Sequence, residues 1–189
     1  SLIGALVVTP LPAIVLFRDL APAGDPVERL KHTFWEEGMR LTRDPDGTPI
    51  NIKDVTLGSV FHVIPEGLND AEDRLEEKAK AAVLLMKLKE DDLQISPERK
   101  DWSYEGIVAY SKICTHVGCP VALYEQNTHH LLCPCHQSTF DISDGAKVVF
   151  GPAKRALPQL PITVDEEGYL IAQDDFNEPI GPSYWERLK

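Results

Sequence analysis

Two short stretches decide the reading: Cys114-Thr115-His116-Val117-Gly118-Cys119-Pro120 and Cys133-Pro134-Cys135-His136-Gln137-Ser138-Thr139-Phe140. Each sets a cysteine and a histidine two or three residues apart, so one tight loop can aim two ligands at a single site. Together they hold all four cysteines of the 189-residue chain. Cysteines that staple a small secreted domain are spread along it, whereas clustering favours a local metal site. Four cysteines and two histidines are too many donors for one four-coordinate zinc ion. A [2Fe–2S] cluster takes four protein ligands, two to each iron; thiolates suit one iron and imidazoles can serve the other. One cysteine and one histidine from each box supply that set and leave one cysteine per box over. A zinc ribbon would use all four thiols, but Cys133-x-Cys135 is tighter than the usual Cys-x2–4-Cys pairing, and both histidines would lack a role.

Outward from the boxes, short apolar runs at 106–113, 121–124, 129–133, 146–150, 160–164 and 169–172 alternate with Gly, Pro, Asp and Asn. Regularly spaced short strands with turn signals predict an antiparallel β sandwich or barrel. Upstream, Asp25, Pro26 and Glu28 offer an N-cap, a first helical position and a capping box, which predicts a helix over about 26–40. Residues 44–47 (Asp-Pro-Asp-Gly) read as a turn, 59–64 as a strand, and 69–80, with Glu and Lys at helical spacing, as a surface helix. The apolar run 81–88 is read as a strand, although periodicity alone does not separate it from a helix. Residues 90–103 are polar and acidic and read as a surface loop. The fold class expected is all-β with small helical additions.

Hydrophobic residues make up 43% and charged residues 26%, enough for a real core. A formal net charge of −11 argues against nucleic acid, whose phosphates call for Lys and Arg. The first stretch, 2–17, is almost uncharged, too short for a full membrane helix and interrupted by Pro10 and Pro12. It is read as the C-terminal part of a membrane segment, followed by a linker at 20–26.

The two boxes closely resemble those of Rieske iron–sulfur proteins. Residues 102–186 are similar to the Rieske subunit of the actinobacterial menaquinol–cytochrome c reductase complex, an impression carried by Gly106-Ile-Val-Ala-Tyr110, the stretch from Leu123 to His130, and Pro158-Gln-Leu-Pro161. The resemblance implies a Rieske-type antiparallel β sandwich with an inserted cluster-binding subdomain at about 110–155. Residues 1–25 would be the end of a membrane segment plus a hinge, and 26–189 the Rieske domain. One [2Fe–2S] cluster is implied, with Cys114 and Cys133 on the buried iron and His116 and His136 on the outer one. A Cys119–Cys135 disulfide is also implied. That bond marks the quinol-oxidising branch; Rieske ferredoxins and oxygenase components generally lack it, and such a soluble carrier is the alternative function. Gly151-Pro152-Ala153 resembles the proline loop that covers the cluster.

Further implications concern chemistry. Quinol would meet the tip formed by His136, His116, Val117 and Gly118, with His136 as the principal contact. A metal-bound imidazole is acidified, and reduction of the metal relieves that, so electron and proton uptake couple at one residue. The partners implied are a cytochrome b subunit with its quinol and a cytochrome c-type haem subunit, at the cell membrane with the head on the extracytoplasmic side. Reaching both partners in turn calls for a mobile head, with 18–26 as hinge. Hydrogen bonds to cluster sulfur raise the potential by stabilising the reduced form. Ser138 stands where the family places one hydroxyl donor. Phe140 stands where high-potential relatives carry Tyr, which predicts a potential in the lower or middle part of the Rieske range of roughly −150 to +300 mV.

Overall fold

The computed structural model describes residues 32–69, 74–94 and 96–182. Four strands form the first antiparallel sheet in chain order: β1 (Leu41–Arg43), β2 (Val60–Pro65), β3 (Val83–Lys87) and β4 (Ile107–Ser111). A helix, α1 (Leu75–Ala81), leads from β2 to β3. A second four-stranded sheet follows: β5 (Leu123–Glu125), β6 (His130–Leu132), β7 (Thr139–Asp141) and β8 (Lys147–Phe150). The hairpin of β9 (Ile162–Val164) and β10 (Leu170–Ala172) then returns to the first sheet through bridges Arg40↔Ile171, Asn51↔Tyr169 and Tyr110↔Gln159. The antiparallel, all-β expectation holds.

The β3–β4 ribbon joins the two halves. Successive strand side chains point to opposite faces, and here both faces are covered. Val83 and Leu85, with Ile107 and Ala109, enter one core beside Trp35, Leu41, Ile162 and Leu170. Leu84 and Met86, with Val108 and Tyr110, enter a second core containing Cys114, Leu131, Cys133 and Phe140. This double burial explains why the run 81–88 shows no polar alternation. Its register, Leu84↔Tyr110 and Met86↔Val108, fixes the floor under both boxes. Each aliphatic side chain so buried stabilises the fold by about 1.5–3 kcal/mol.

Two expectations change. Residues 32–40 of the predicted helix 26–40 are not helical, and 26–31 lie outside the described residues. Tertiary contacts hold this segment open. The Trp35 indole donates to the Ala81 carbonyl at 2.8 Å, Thr33 bonds Asp175 through its amide and its hydroxyl, and Gly38, at φ +83°, donates to the Ala172 carbonyl. Residues 90–103 are built from 3-10 turns at Glu90–Asp92 and Pro97–Trp102 rather than from open loop. Among the described residues no helix is long and apolar enough to cross a membrane; the apolar stretch 2–17, the linker 20–26 and the hinge expected at 18–26 lie outside them.

Candidate metal centre

Box one hangs between β4 and β5, and box two between β6 and β7. The two loops close in the same way. Cys114 N–H donates to the Cys119 carbonyl at 2.8 Å, and Gly118 N–H returns to the Cys114 carbonyl at 3.0 Å. In box two, Cys133 N–H donates to the Ser138 carbonyl at 2.9 Å, and Gln137 N–H returns to the Cys133 carbonyl at 3.0 Å. This ring requires a left-handed residue at its fifth position, and both loops have one: Gly118 at φ +86° and Gln137 at φ +61°. Glycine takes that conformation freely; glutamine there is uncommon and is held by the surrounding bonds.

The loops face each other. Cys119 and Cys135 form a disulfide, while Cys114 and Cys133 are free and each 1% exposed. The rings of His116 and His136 stand edge to face, with centroids 4.7 Å apart. His116 is half-buried and His136 exposed. The Sγ atoms of Cys119, Cys133 and Cys135 also lie within 4.8 Å of one another, but two of these sulfurs are spent on the disulfide and have no thiolate to give a metal.

The site fits a [2Fe–2S] cluster by an orphaned imidazole nitrogen and by its donor set. His116 Nδ1 is buried with no hydrogen-bond partner, an arrangement that is costly unless something binds there. Burial pushes the Cys114 thiol up to about 11, although the His116 backbone N–H and the Ser138 hydroxyl pull it back. A thiolate in that position calls for a nearby positive charge, which iron would supply. The donor set, two thiols beside two imidazoles, is the mixed one that such a cluster uses.

Ser138 is fully buried. Its Oγ accepts from the Ala153 amide at 3.1 Å, and its hydroxyl is near enough to the Cys114 thiol to favour the thiolate. One side chain therefore ties box two to the 151–153 loop. Ser138→Ala should cost about 1–3 kcal/mol by stranding the buried Ala153 N–H, read as a lower Tm of the folded holoprotein. Phe140 is fully buried in the second core, and Val117 is 48% exposed at the tip of box one.

His129 makes its side-chain contacts outside the boxes. His129 sits in a left-handed turn at φ +55° rather than on the strand expected over 129–133. It lies 3.3 Å from the Tyr124 hydroxyl and 3.4 Å from Asp92. A contact that the sequence does not announce is the Thr115 hydroxyl, which donates to the Arg155 carbonyl at 2.6 Å. Forty residues separate the partners, and no local pattern encodes the pairing.

A family model described as the Rieske [2Fe-2S] domain matches residues 72–161. The cytochrome bc1 complex Rieske iron-sulfur subunit of Streptomyces coelicolor is 54% identical over 188 residues, covering 99% of this chain and 52% of that protein. The subunit of the same name from Corynebacterium glutamicum is 47% identical over 154 residues, covering 74% of this chain and 38% of that protein. The chain thus spans about half or less of the length of these two relatives. Among solved structures, the soluble domain of the Rieske protein II (soxF) from Sulfolobus acidocaldarius has a TM-score of 0.48 at 21% identity, covering 75% of this chain and 81% of that one. The match to the Streptomyces lividans subunit extends over almost the whole of the relative: 55% identity over 172 residues, 90% of this chain and 99% of that protein. With that match over a chain whose boxes meet at one site, the protein belongs to the Rieske iron–sulfur subunits of the cytochrome bc1 complex.

Proposed function

We propose that Cys114, Cys133, His116 and His136 hold the cluster, and that the chain takes one electron and one proton from a quinol, menaquinol in the reading preferred, and passes the electron to a cytochrome c-type haem. What carries this reading is the orphaned, buried Nδ1 of His116 beside the His136 ring. When bound, the cluster supplies a one-electron store. The chain's own residues do the rest. The two thiols, shut away from water, anchor the inner side. The two imidazoles form the outer side, and the exposed His136 offers its second ring nitrogen to a quinol hydroxyl, first as hydrogen-bond acceptor and then as the seat of the proton. Val117 and Gly118 extend that tip, and Gly151, Pro152 and Ala153 cover the far side. A cluster-binding subdomain at about 110–155 within a domain of 26–189 accords with the separate sheet β5–β8.

The proposed partners are a cytochrome b subunit with its quinol and a cytochrome c-type haem subunit. The proposed address is the cell membrane, with the head on the extracytoplasmic side where disulfides persist. The disulfide favours this reading over a soluble ferredoxin or oxygenase component. The experiment is quinol-driven reduction of the cytochrome c-type haem by the assembled complex. Exchange of His136 for a non-ligating residue should abolish it, and turnover at the wild-type rate would remove the reading.

Ser138 and Phe140 are proposed to set the potential. A hydrogen bond to a charged acceptor is worth about 1.5 kcal/mol or more, which is ~60 mV for a one-electron couple. Phe140→Tyr should raise the midpoint by about that amount if the new hydroxyl reaches a cysteine sulfur. A redox titration in which the midpoint stays or falls would count against the assignment.

A further inference from the structure

Arg155 lies outside both boxes, yet three segments converge on it. Its backbone carbonyl accepts the hydroxyl of Thr115, the residue between Cys114 and His116, which is itself only 1% exposed. Its guanidinium reaches the other way. One Nη donates to the carbonyls of Pro179 and Gly181 at 2.6 and 2.8 Å, and the other pairs with Glu178 at 3.3 Å. The side chain is 16% exposed, whereas Glu178 is 45% exposed. The bonds to carbonyls are therefore the buried part of the clamp, and the ion pair at its rim contributes little.

The clamped segment runs directly against box one. A Cβ built on Gly118 would meet Pro182 Cδ at 3.9 Å and Ile113 Cγ2 at 4.0 Å, and one on Gly181 would meet Ile113 Cγ2 at 3.7 Å. His116 is thus bracketed. On one side Thr115 is tied to the Arg155 carbonyl; on the other Gly118 is covered by a tail that the Arg155 guanidinium holds down. A planar guanidinium can satisfy two carbonyls and a carboxylate in one fixed geometry, which the ammonium of lysine does not reproduce.

We propose that Arg155 is a positioning residue for the cluster: its guanidinium holds the 178–182 tail against Gly118 and so fixes the orientation of the His116 imidazole, while the Thr115 bond, made to the backbone carbonyl, is kept in every substitution at this position. The inference rests on the ligand reading given above. It is tested on the iron-loaded chain by comparing Arg155→Lys, Arg155→Ala and Glu178→Gln. Reduced-state electron paramagnetic resonance, midpoint potential and Tm are measured for each. Arg155→Lys should fold and load iron, yet show a shifted and broadened reduced-state signal and a displaced midpoint. Arg155→Ala should show the same change, larger. Glu178→Gln should match the wild type, because it removes only the exposed pair. Iron-loaded Arg155→Lys with a wild-type signal and midpoint, whatever its Tm, overturns the proposal. So does a Glu178→Gln change as large as that of Arg155→Lys. Should Arg155→Ala not accumulate, Arg155→Lys decides alone. A wild-type chain lacking iron or the histidine-type signal would instead sink the ligand reading, so the two failures are distinguishable.

Discussion

Cys114→Ser and Cys133→Ser should each give a chain without the cluster, colourless and free of iron, whereas Cys119→Ser and Cys135→Ser should still load iron but hold it less firmly. The structure divides the four cysteines on chemical grounds. Cys114 and Cys133 are reduced and buried on the floor shared with Leu131 and Phe140. On the proposed ligand set, losing either thiolate would leave one side of the site without its anchor. Cys119 and Cys135 are joined to each other, closing a sequence separation of 16 residues. A cross-link over a loop of that size stabilises by roughly 3 kcal/mol, which should appear as faster cluster loss to a chelator and a lower Tm. Iron content and visible absorption of the four purified variants check the division. Equal iron loss in all four would erase it.

The second large effect is expected at Gly151. Its φ is +91°, a region that residues with a side chain rarely adopt. An added Cβ would sit 2.6 Å from the Ser138 Cα, 2.8 Å from the Gln137 carbonyl oxygen and 2.8 Å from the Ser138 amide nitrogen. All three are backbone atoms of box two, and none can rotate away. Gly151→Ala must therefore move either the 151–153 loop or box two itself. Backbone strain of this kind costs about 1–3 kcal/mol, and the overlap adds to it. The bond from Ala153 N–H to Ser138 Oγ would be lost in the same displacement. The expected outcome is poor cluster retention and a Tm lowered by several degrees. Gly38→Ala is the control: its φ is also positive, but nothing lies within 4 Å of an added Cβ, so it should keep its iron. Normal iron content and Tm in Gly151→Ala would show that the loop does not press on box two as described.

The sequence made the two boxes visible because a cysteine and a histidine so close together carry a ligand signal that needs no tertiary context. The strands after residue 106 were legible for a similar reason: short apolar runs stand between turn residues, and the observed β4, β5, β6, β8, β9 and β10 fall inside or next to them. Strand β7 was hidden because Thr139–Asp141 overlaps the end of box two and reads as part of a ligand loop. β1 is three residues long and falls in the short gap between the helix expected to end near 40 and the turn expected at 44–47, where no element was assigned.

The helix expected over 26–40 failed on its described part for a physical reason. A capping signal is worth about 1 kcal/mol, and it competes with burial of Trp35 and with hydrogen bonds from Trp35, Thr33 and Gly38 to distant residues. Tertiary contacts win such contests routinely. Arg155 was illegible for the same reason. Its partners Thr115, Pro179 and Gly181 lie 40, 24 and 26 residues away, and only the folded chain brings them to one side chain. The strand run expected over 129–133 begins one residue later, because a left-handed turn places His129 outside it and beside Asp92.

The ligand assignment is tested most directly by iron analysis combined with electron paramagnetic resonance of the reduced, purified chain. Two irons per chain and a signal of low average g, the mark of imidazole ligation at one iron, are the result expected. An iron-free chain, or a signal of the kind given by a cluster held by thiolates alone, would contradict the assignment of Cys114, His116, Cys133 and His136.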